Sequence, residues 1–394
     1  MSSAALYIHF PFCRSKCVYC DFYSVTSLKD ESPFINNLLS EIELVCSSSP
    51  ATDYKFSTLY IGGGTPSLMS AEHLYQLGRR LRAVFRFSQN AEWSFEANPG
   101  ALLDRRLAEF KDAGFNRLTL GVQSFHDSEL QFLTRIHSAR QAEEAVVLAH
   151  ESGFENIGID LIFGIPGQTL ETWRSTLERA VQLSPTHISI YGLTYETNTP
   201  LWRMQKQGRV ARCDELKERE MLLLGLELLK RAGYEHYEIS NFAKPGFRSR
   251  HNSAYWDGIP FIGLGPSAHS FDGDRRWWNV SDIHRYAREL ASAKLPIEGW
   301  EELDKQARSN ELVLLGLRRR EGIDLEKLEK TSGRMRDELL TGIEQRVGTI
   351  AATPSFAKSN DNALLTLVDD SLCLTRQGLL LYDSLCRALF KVIS

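Results

Sequence analysis

Between Leu6 and Ala232 the chain repeats one unit: a short β-branched or aromatic run, a loop bearing glycine or asparagine, then a helical stretch. The runs are Leu6–Phe10, Thr58–Ile61, Trp93–Ala97, Arg117–Leu120, Ile157–Ile162 and His187–Tyr191. The helical stretches are Pro33–Leu44, Ala71–Phe85, Ala101–Ala113, Ser138–Ser152, Leu170–Leu183 and Asp214–Ala232. Strands alternating with helices of this length build parallel β/α units. Six of them predict an α/β fold, a partial (β/α)6 barrel of the TIM type, with its chemistry at the C-terminal ends of the strands.

The residues at those ends agree. The first run leads into a cysteine loop, and the second ends in Gly62-Gly63-Gly64-Thr65-Pro66. The third ends in Glu96-Ala97-Asn98-Pro99, and the fourth leads into Gly121-Val122-Gln123-Ser124. The fifth carries Asp160 and closes on Phe163-Gly164-Ile165-Pro166-Gly167.

Three of the seven cysteines lie in the run Cys13-Arg14-Ser15-Lys16-Cys17-Val18-Tyr19-Cys20. Thiolates spaced C-x3-C-x2-C on one loop can grip three corners of a cubane iron–sulfur cluster and leave the fourth iron open. A disulfide framework needs an even set, and cysteines this close rarely meet bridge geometry. A structural zinc would need a fourth ligand, His9 or a distant residue. Cys46, Cys213, Cys373 and Cys386 read as structural thiols.

A chain of 394 residues can bury one large core and a smaller one. Its formal charge of −4 is not the balance of a nucleic-acid-binding surface. Met1-Ser2-Ser3-Ala4-Ala5 offers no basic region followed by an apolar stretch, and no run reaches the length of a membrane span. A soluble, cytoplasmic protein is expected, in a compartment that keeps thiols reduced; peripheral association with a membrane is compatible with this.

Beyond residue 233 the pattern changes. Tyr234–Ile239 reads as one more strand, followed by a Gly-, Trp- and His-rich loop region to about residue 272. The expected organisation is a barrel carrying the cluster and cofactor site over 1–272, a linker over 273–300 and a C-terminal module over 301–394. In that module Glu302–Arg320 and Leu325–Arg346 read as helical and residues 353–362 as a loop. Leu364–Val368 and Leu372–Leu374 flank Asp369-Asp370-Ser371 as a hairpin, and Thr375 caps a last helix, Arg376–Leu389. Helices with a terminal hairpin make a small α+β, winged-helix-like domain, which at this charge is not DNA-binding.

The cysteine spacing, set between Tyr7-Ile8-His9-Phe10-Pro11-Phe12 and the trailing Tyr19, resembles the signature of the radical SAM enzymes. That resemblance implies a [4Fe-4S] cluster on Cys13, Cys17 and Cys20, with S-adenosylmethionine chelated to the open iron. The wider order of motifs, from Gly62–Pro66 and Glu96–Pro99 through Gly114–Leu118, Gly121–Ser124 and Asp160–Pro166, is similar to oxygen-independent coproporphyrinogen III oxidase and its relatives. It covers nearly the whole chain, down to Leu374-Thr375 and Gly378-Leu379-Leu380. The resemblance implies that Tyr7 and Tyr19 flank the adenosyl group and cluster, and that Gly63, Gly64 and Thr65 hold the methionyl end. It gives Glu96, Gln123, Arg135 and Asp160 the carboxylate and ribose, and sets Thr194 and His269 on the adenine side. The residue types suit that work: glycines admit close backbone approach, carboxylates accept from hydroxyls or an ammonium, and an arginine fork matches a carboxylate.

One departure matters. The oxidase carries a further cysteine two positions after the third, where this chain has Phe22, and the segment before Tyr7 is short. Cys20-Asp21-Phe22 instead resembles the haem chaperone branch of the family, whose His-Asn-x-x-Tyr-Trp motif is matched by His251-Asn252-Ser253-Ala254-Tyr255-Trp256. Gly263–Ser270 also suits that branch. His251 is then a candidate axial donor to haem iron, with Tyr255 and Trp256 covering a porphyrin face, and His9, His236 and His269 compete for the role. The plainer reading is a polar loop packed by aromatics with its histidine hydrogen-bonded locally. The branch implies haem or porphyrin as ligand, recipient haem proteins including respiratory ones, and a homodimer. The alternative is the oxidase itself, in which a 5′-deoxyadenosyl radical abstracts hydrogen from a propionate side chain of coproporphyrinogen III and triggers oxidative decarboxylation. Neither reading identifies a catalytic residue beyond the cofactor set.

Overall fold

The structure is a computed structural model that describes residues 2–48, 50–101, 104–351 and 363–393. Six strands run parallel in sequence order: β1 (Ser3–Phe10), β2 (Lys55–Gly63), β3 (Arg86–Ala97), β4 (Arg117–Gln123), β5 (Asn156–Phe163) and β6 (His187–Gly192). The crossovers carry α1 (Glu31–Ser48), α2 (Ala71–Val84), α3 (Asp104–Asp112), α4 (Asp127–Phe132), α5 (Ala139–Glu151) and α6 (Leu170–Gln182). Side chains mark several starts: Ser138 and Gln141 close a capping box on α5, and Thr169 caps α6. These are the expected β/α units.

After α7 (Pro200–Lys206) and α8 (Glu215–Arg231) the chain widens the same sheet on both sides. β7 (Glu235–His236) and β8 (Asn241–Ala243) join beside β6 as antiparallel strands. Following α9 (Arg250–Trp256), β9 (Phe261–Leu264) pairs in parallel with β1. β10 (His269–Phe271), β11 (Arg275–Asn279) and β12 (Ile297–Glu302) add antiparallel strands, with α10 (Ile283–Ala291) between the last two. Among the described residues the sheet has twelve strands, in the order β12-β11-β10-β9-β1-β2-β3-β4-β5-β6-β8-β7. The strand expected over 234–239 shrinks to two residues, because the chain turns at Glu238, whose carbonyl accepts from the Asn241 amide at 3.2 Å. The expected loop region up to 272 contains a helix, α9, and three short strands, β8 to β10. Residues 273–300, read from the sequence as a linker, carry β11, α10 and most of β12.

The C-terminal part comprises α11 (Lys305–Arg318), β13 (Ile323–Asp324), α12 (Leu325–Ser332), α13 (Arg336–Ala351), β14 (Leu365–Val368), β15 (Ser371–Leu374), α14 (Arg376–Leu379) and α15 (Tyr382–Ile393). The helix expected over 325–346 is broken at Gly333, whose φ of +70° closes α12 in the left-handed region. The hairpin forms as expected and takes β13 as a third strand, Thr375 caps α14, and the last helix divides after Leu379. The stretch 353–362 lies outside the described residues. This part has its own apolar core, around Val313, Leu328, Leu339, Leu365 and Leu385.

The six parallel strands alternate sharply. Leu6, Ile8, Leu59, Ile61, Phe95, Leu118, Ile159 and Ile188 are buried in the main core. Polar side chains occupy many of the intervening positions, and the register aligns them: Tyr7 beside Tyr60, Tyr60 beside Ser94, Ser94 beside Arg117, Glu96 beside Thr119 and Asp160 beside Ser189. Parallel sheets are usually apolar on both faces. Here one face lines a polar crevice.

Candidate functional site

The cysteine loop leaves β1 and is tied down on every side. Cys13 donates its amide to the Val25 carbonyl at 2.9 Å, and Thr65 donates to that of Phe12 at 2.8 Å. The Val18 amide bonds the Thr134 hydroxyl at 3.0 Å, and the Val18 carbonyl accepts from Leu201 at 2.9 Å. Val18 and Tyr19 pack on a small apolar cluster that includes Leu133, Ile162 and Tyr195. All three thiols are free. The Thr65 hydroxyl lies 3.5 Å from Cys13 Sγ, and Arg135 Nη1 lies 3.5 Å from Cys17 Sγ. Burial pushes the Cys13 thiol up and that of Cys20 to about 11, so any metal taken up by these thiols would have to displace protons. Among the described residues no three His, Cys, Asp or Glu side chains converge as one shared ion requires. Thiols spread along a loop beside a hydroxyl and a guanidinium fit a cluster whose irons sit at separate corners.

The glycine run at the end of β2 is built against this loop. Gly63 has φ +98°, and a Cβ there would lie 2.4 Å from the His9 ring; at Gly64 it would lie 2.6 Å from the Phe12 carbonyl. Only glycine lets the two chain segments meet. Next to it, Glu96 accepts from the Tyr60 hydroxyl at 2.8 Å and from the Gly63 amide. Burial pushes the Glu96 carboxyl up to about 7, Asp160 adding to the effect, and burial pushes Asp160 to about 6. Arg135 bonds the Gly121 carbonyl at 2.6 Å, while its Nε has no partner among the described residues. Gln123 stands at φ +70° beside a register shift in β4, backbone strain of the kind found at ligand sites. Among the described residues the crevice therefore offers two carboxyls with no ion pair and, next to the thiols, a guanidinium whose Nε is unpaired. That donor set fits a zwitterionic ligand with hydroxyls.

The histidines differ from one another. His251 is buried on α9, its Nδ1 2.8 Å from the Thr58 hydroxyl and its Nε2 2.9 Å from that of Tyr255. Burial lowers its pKa to about 3. His9 is likewise held, by the Tyr7 hydroxyl at 3.1 Å and the Tyr23 carbonyl at 2.8 Å. His236 bonds the Ile239 carbonyl and stacks on Phe242. His269, on β10, is exposed and lies alongside Trp278. It lines a cavity of about 660 Å³ between the β9–β12 side of the sheet and α11–α12, together with Tyr255, Trp256, Phe261 and Phe271.

Residues 7–180 match the Radical SAM superfamily, and residues 303–381 match the HemN C-terminal domain. The heme chaperone HemW of Mycobacterium tuberculosis is 36% identical over 98% of this chain and 94% of its own length. The heme chaperone HemW of Bacillus subtilis is 34% identical over 95% of this chain and 96% of its own. The chain belongs to the HemW family. A third member of that family, from Escherichia coli, is 37% identical over 67% of this chain and 69% of its own length. In three dimensions this HemW-family chain superposes on the solved coproporphyrinogen III oxidase (HemN) from Escherichia coli, a radical SAM enzyme, with a TM-score of 0.84. That match covers 98% of this chain and 90% of the other at 23% identity, a likeness of fold alone.

Within this HemW-family fold, Cys13, Cys17, Cys20, Tyr19, Gly63, Gly64, Thr65 and Arg135 lie together around the loop. Tyr7, Glu96 and Asp160 lie on the adjoining polar face, and Gln123 ends β4. Thr194 follows β6 and His269 is on β10, at opposite flanks of the six parallel strands. Sequence reasoning missed Tyr60 and Thr134, which hold Glu96 and the cysteine loop. It also missed Glu92, which accepts from the Arg250 and His251 amides at 3.1 and 3.2 Å and so fixes α9. Tyr60 and Glu92 stand at alternate strand positions, a signal the sequence carried. Thr134 carried none.

Proposed function

We propose that this chain is a haem chaperone on a radical SAM scaffold. It holds a [4Fe-4S] cluster on Cys13, Cys17 and Cys20, and S-adenosylmethionine across the open end of the sheet. Haem is its cargo, for delivery to recipient haem proteins in the cytoplasm or at a membrane surface, and the working form is a homodimer. The observation that carries this reading is the 34–36% identity to heme chaperones over at least 95% of the chain. The His251–Trp256 motif, which leads to an aromatic cavity, agrees with it.

In this reading Gly63, Gly64 and Thr65 present backbone and hydroxyl to the methionyl end, and Arg135 pairs with its carboxylate. Glu96, Gln123 and Asp160 take the ammonium and ribose hydroxyls, and Tyr7 and Tyr19 flank the adenosyl group. When bound, the cluster supplies an open iron and an electron next to the sulfonium. Glu96 and Asp160 then lose protons to meet a cation, and the apolar packing of Val18 and Tyr19 holds the cysteine loop in place. The oxidase reading has the fold in its favour, whereas Phe22 in place of a further cysteine and the His251 motif favour haem binding.

The test is an anaerobic haem titration of the cluster-reconstituted protein read in the Soret band. Saturable one-to-one binding is expected; weak, non-saturating binding together with coproporphyrinogen III turnover would replace this reading with the oxidase. The Cys17→Ala variant should fold and lose its cluster absorbance. Stoichiometric iron and sulfide in that variant would overturn the ligand assignment.

A further inference from the structure

We propose that His269 gives the axial nitrogen to haem iron in the cavity between the sheet edge and the C-terminal helices, with Lys327 facing a propionate. This rests on the haem-binding reading above and assigns its site. The motif histidine, His251, becomes a positioning residue.

The cavity's volume of about 660 Å³ falls within the range of small-molecule sites, and its mouth is open. Tyr255, Trp256, Phe261, Phe271 and Trp278 supply broad apolar faces on the sheet side, and leucines of α11 close the other. A flat macrocycle is the ligand shape that such walls cover. Iron within it needs a donor with a free lone pair. Among the described residues neither ring nitrogen of His269 has a hydrogen-bond partner, whereas both nitrogens of His251 and both of His9 are engaged. His251 would have to break a hydrogen bond, to Thr58 or Tyr255, to free either nitrogen for a metal; His269 breaks none.

The charges on the walls discriminate further. Arg276 pairs with Glu301 and Glu311, Arg308 with Asp274 and Arg319 with Asp257. Lys327 lines the same cavity with no ion pair among the described residues, so it is the cation left for a carboxylate. Trp256 Nε1 is a buried donor without a partner there.

The position also connects the cargo to the cofactor. Tyr255, Phe261 and His269 line a second cavity of about 410 Å³, which reaches Tyr7, His9, Asp21 and Phe22 beside the cysteine loop. His251 holds the Tyr255 hydroxyl, and Tyr255 packs edge-on to Phe261 at 4.7 Å. This pair forms the partition between the two cavities.

The experiment titrates ferric haem into the reconstituted full chain, wild type beside His269→Ala, His251→Ala and Lys327→Ala, read by Soret position and EPR. His269→Ala should lower haem affinity about tenfold or more and lose the histidine-ligated signature, and free imidazole should restore it. His251→Ala should keep that signature. Lys327→Ala should weaken binding severalfold without moving the Soret band. If His269→Ala does not fold, His269→Gln carries the same expectation. An unchanged signature in the His269 variant, a loss confined to His251→Ala, or weakened S-adenosylmethionine binding with intact haem binding overturns the proposal. Absence of saturable haem binding in the wild type instead removes the functional reading beneath it.

Discussion

Glu96 and Asp160 hold two carboxyls on one polar face, where burial disfavours their charge more than the surrounding hydrogen bonds favour it. The folded chain therefore binds protons that the unfolded chain has released. With the Glu96 carboxyl at about 7 when folded and 4.5 as its ordinary value, its contribution to stability is present below pH 4.5 and lost as pH rises through 7. The cofactor-free protein should lose stability across that window, Glu96 accounting for up to about 3 kcal/mol. Glu96→Gln should flatten the profile and unfold at higher denaturant than wild type at pH 8. Urea midpoints taken at steps across the window check this, and a flat wild-type profile contradicts it. A cationic ligand placed between these carboxyls reverses the sense, so its affinity rises as pH climbs through 7.

The helix α9 is only seven residues long, yet it stays fixed on a face of the sheet. Its first two amides point at Glu92, whose carboxylate also lies 3.7 Å from the buried Arg117 guanidinium. Glu92→Ala would leave that arginine short of its counter-charge and the helix start without its acceptor, at a cost of about 3 kcal/mol. Faster hydrogen exchange in α9 together with a lower denaturation midpoint is the expected outcome; an unaltered midpoint contradicts it. The same elements divide what a sequence reveals from what it hides. The β/α units were legible because each strand and helix is long enough to show its own period. The polar alternation of Thr58, Tyr60, Glu92, Ser94 and Glu96 was equally present, and marks the crevice. β8 to β12 were not legible: at three to six residues, with a run such as Arg275-Arg276-Trp277-Trp278, their pairing partners decide them. Likewise, nothing local says that Thr134 and Leu201 anchor the cysteine loop, since those contacts close over more than a hundred residues of chain.

Among the described residues the two larger apolar cores are joined by a polar seam, and the proposed haem cavity takes walls from both sides of it. Arginines at the end of α11 make the seam. Arg318 Nε lies 2.8 Å from Glu238, whose side chain is fully buried, and its guanidinium sits over the Trp256 ring at 4.3 Å. Arg319 pairs with Asp257, and backbone bonds run from Ile239 to Arg318 and from Arg320 to Tyr237. Arg318→Ala strands the Glu238 carboxylate in the interior, a loss of about 3 kcal/mol or more. Adding Glu238→Gln removes the uncompensated charge and should recover most of that loss, a non-additivity that a double-mutant cycle reads directly. Stability regained this way does not return the guanidinium to Trp256, so the double variant should still bind haem more weakly than wild type. Denaturant unfolding and haem titration of the four proteins separate the two effects. A single variant as stable as wild type, or a double variant that binds haem as wild type does, would show that the seam does not shape the cavity.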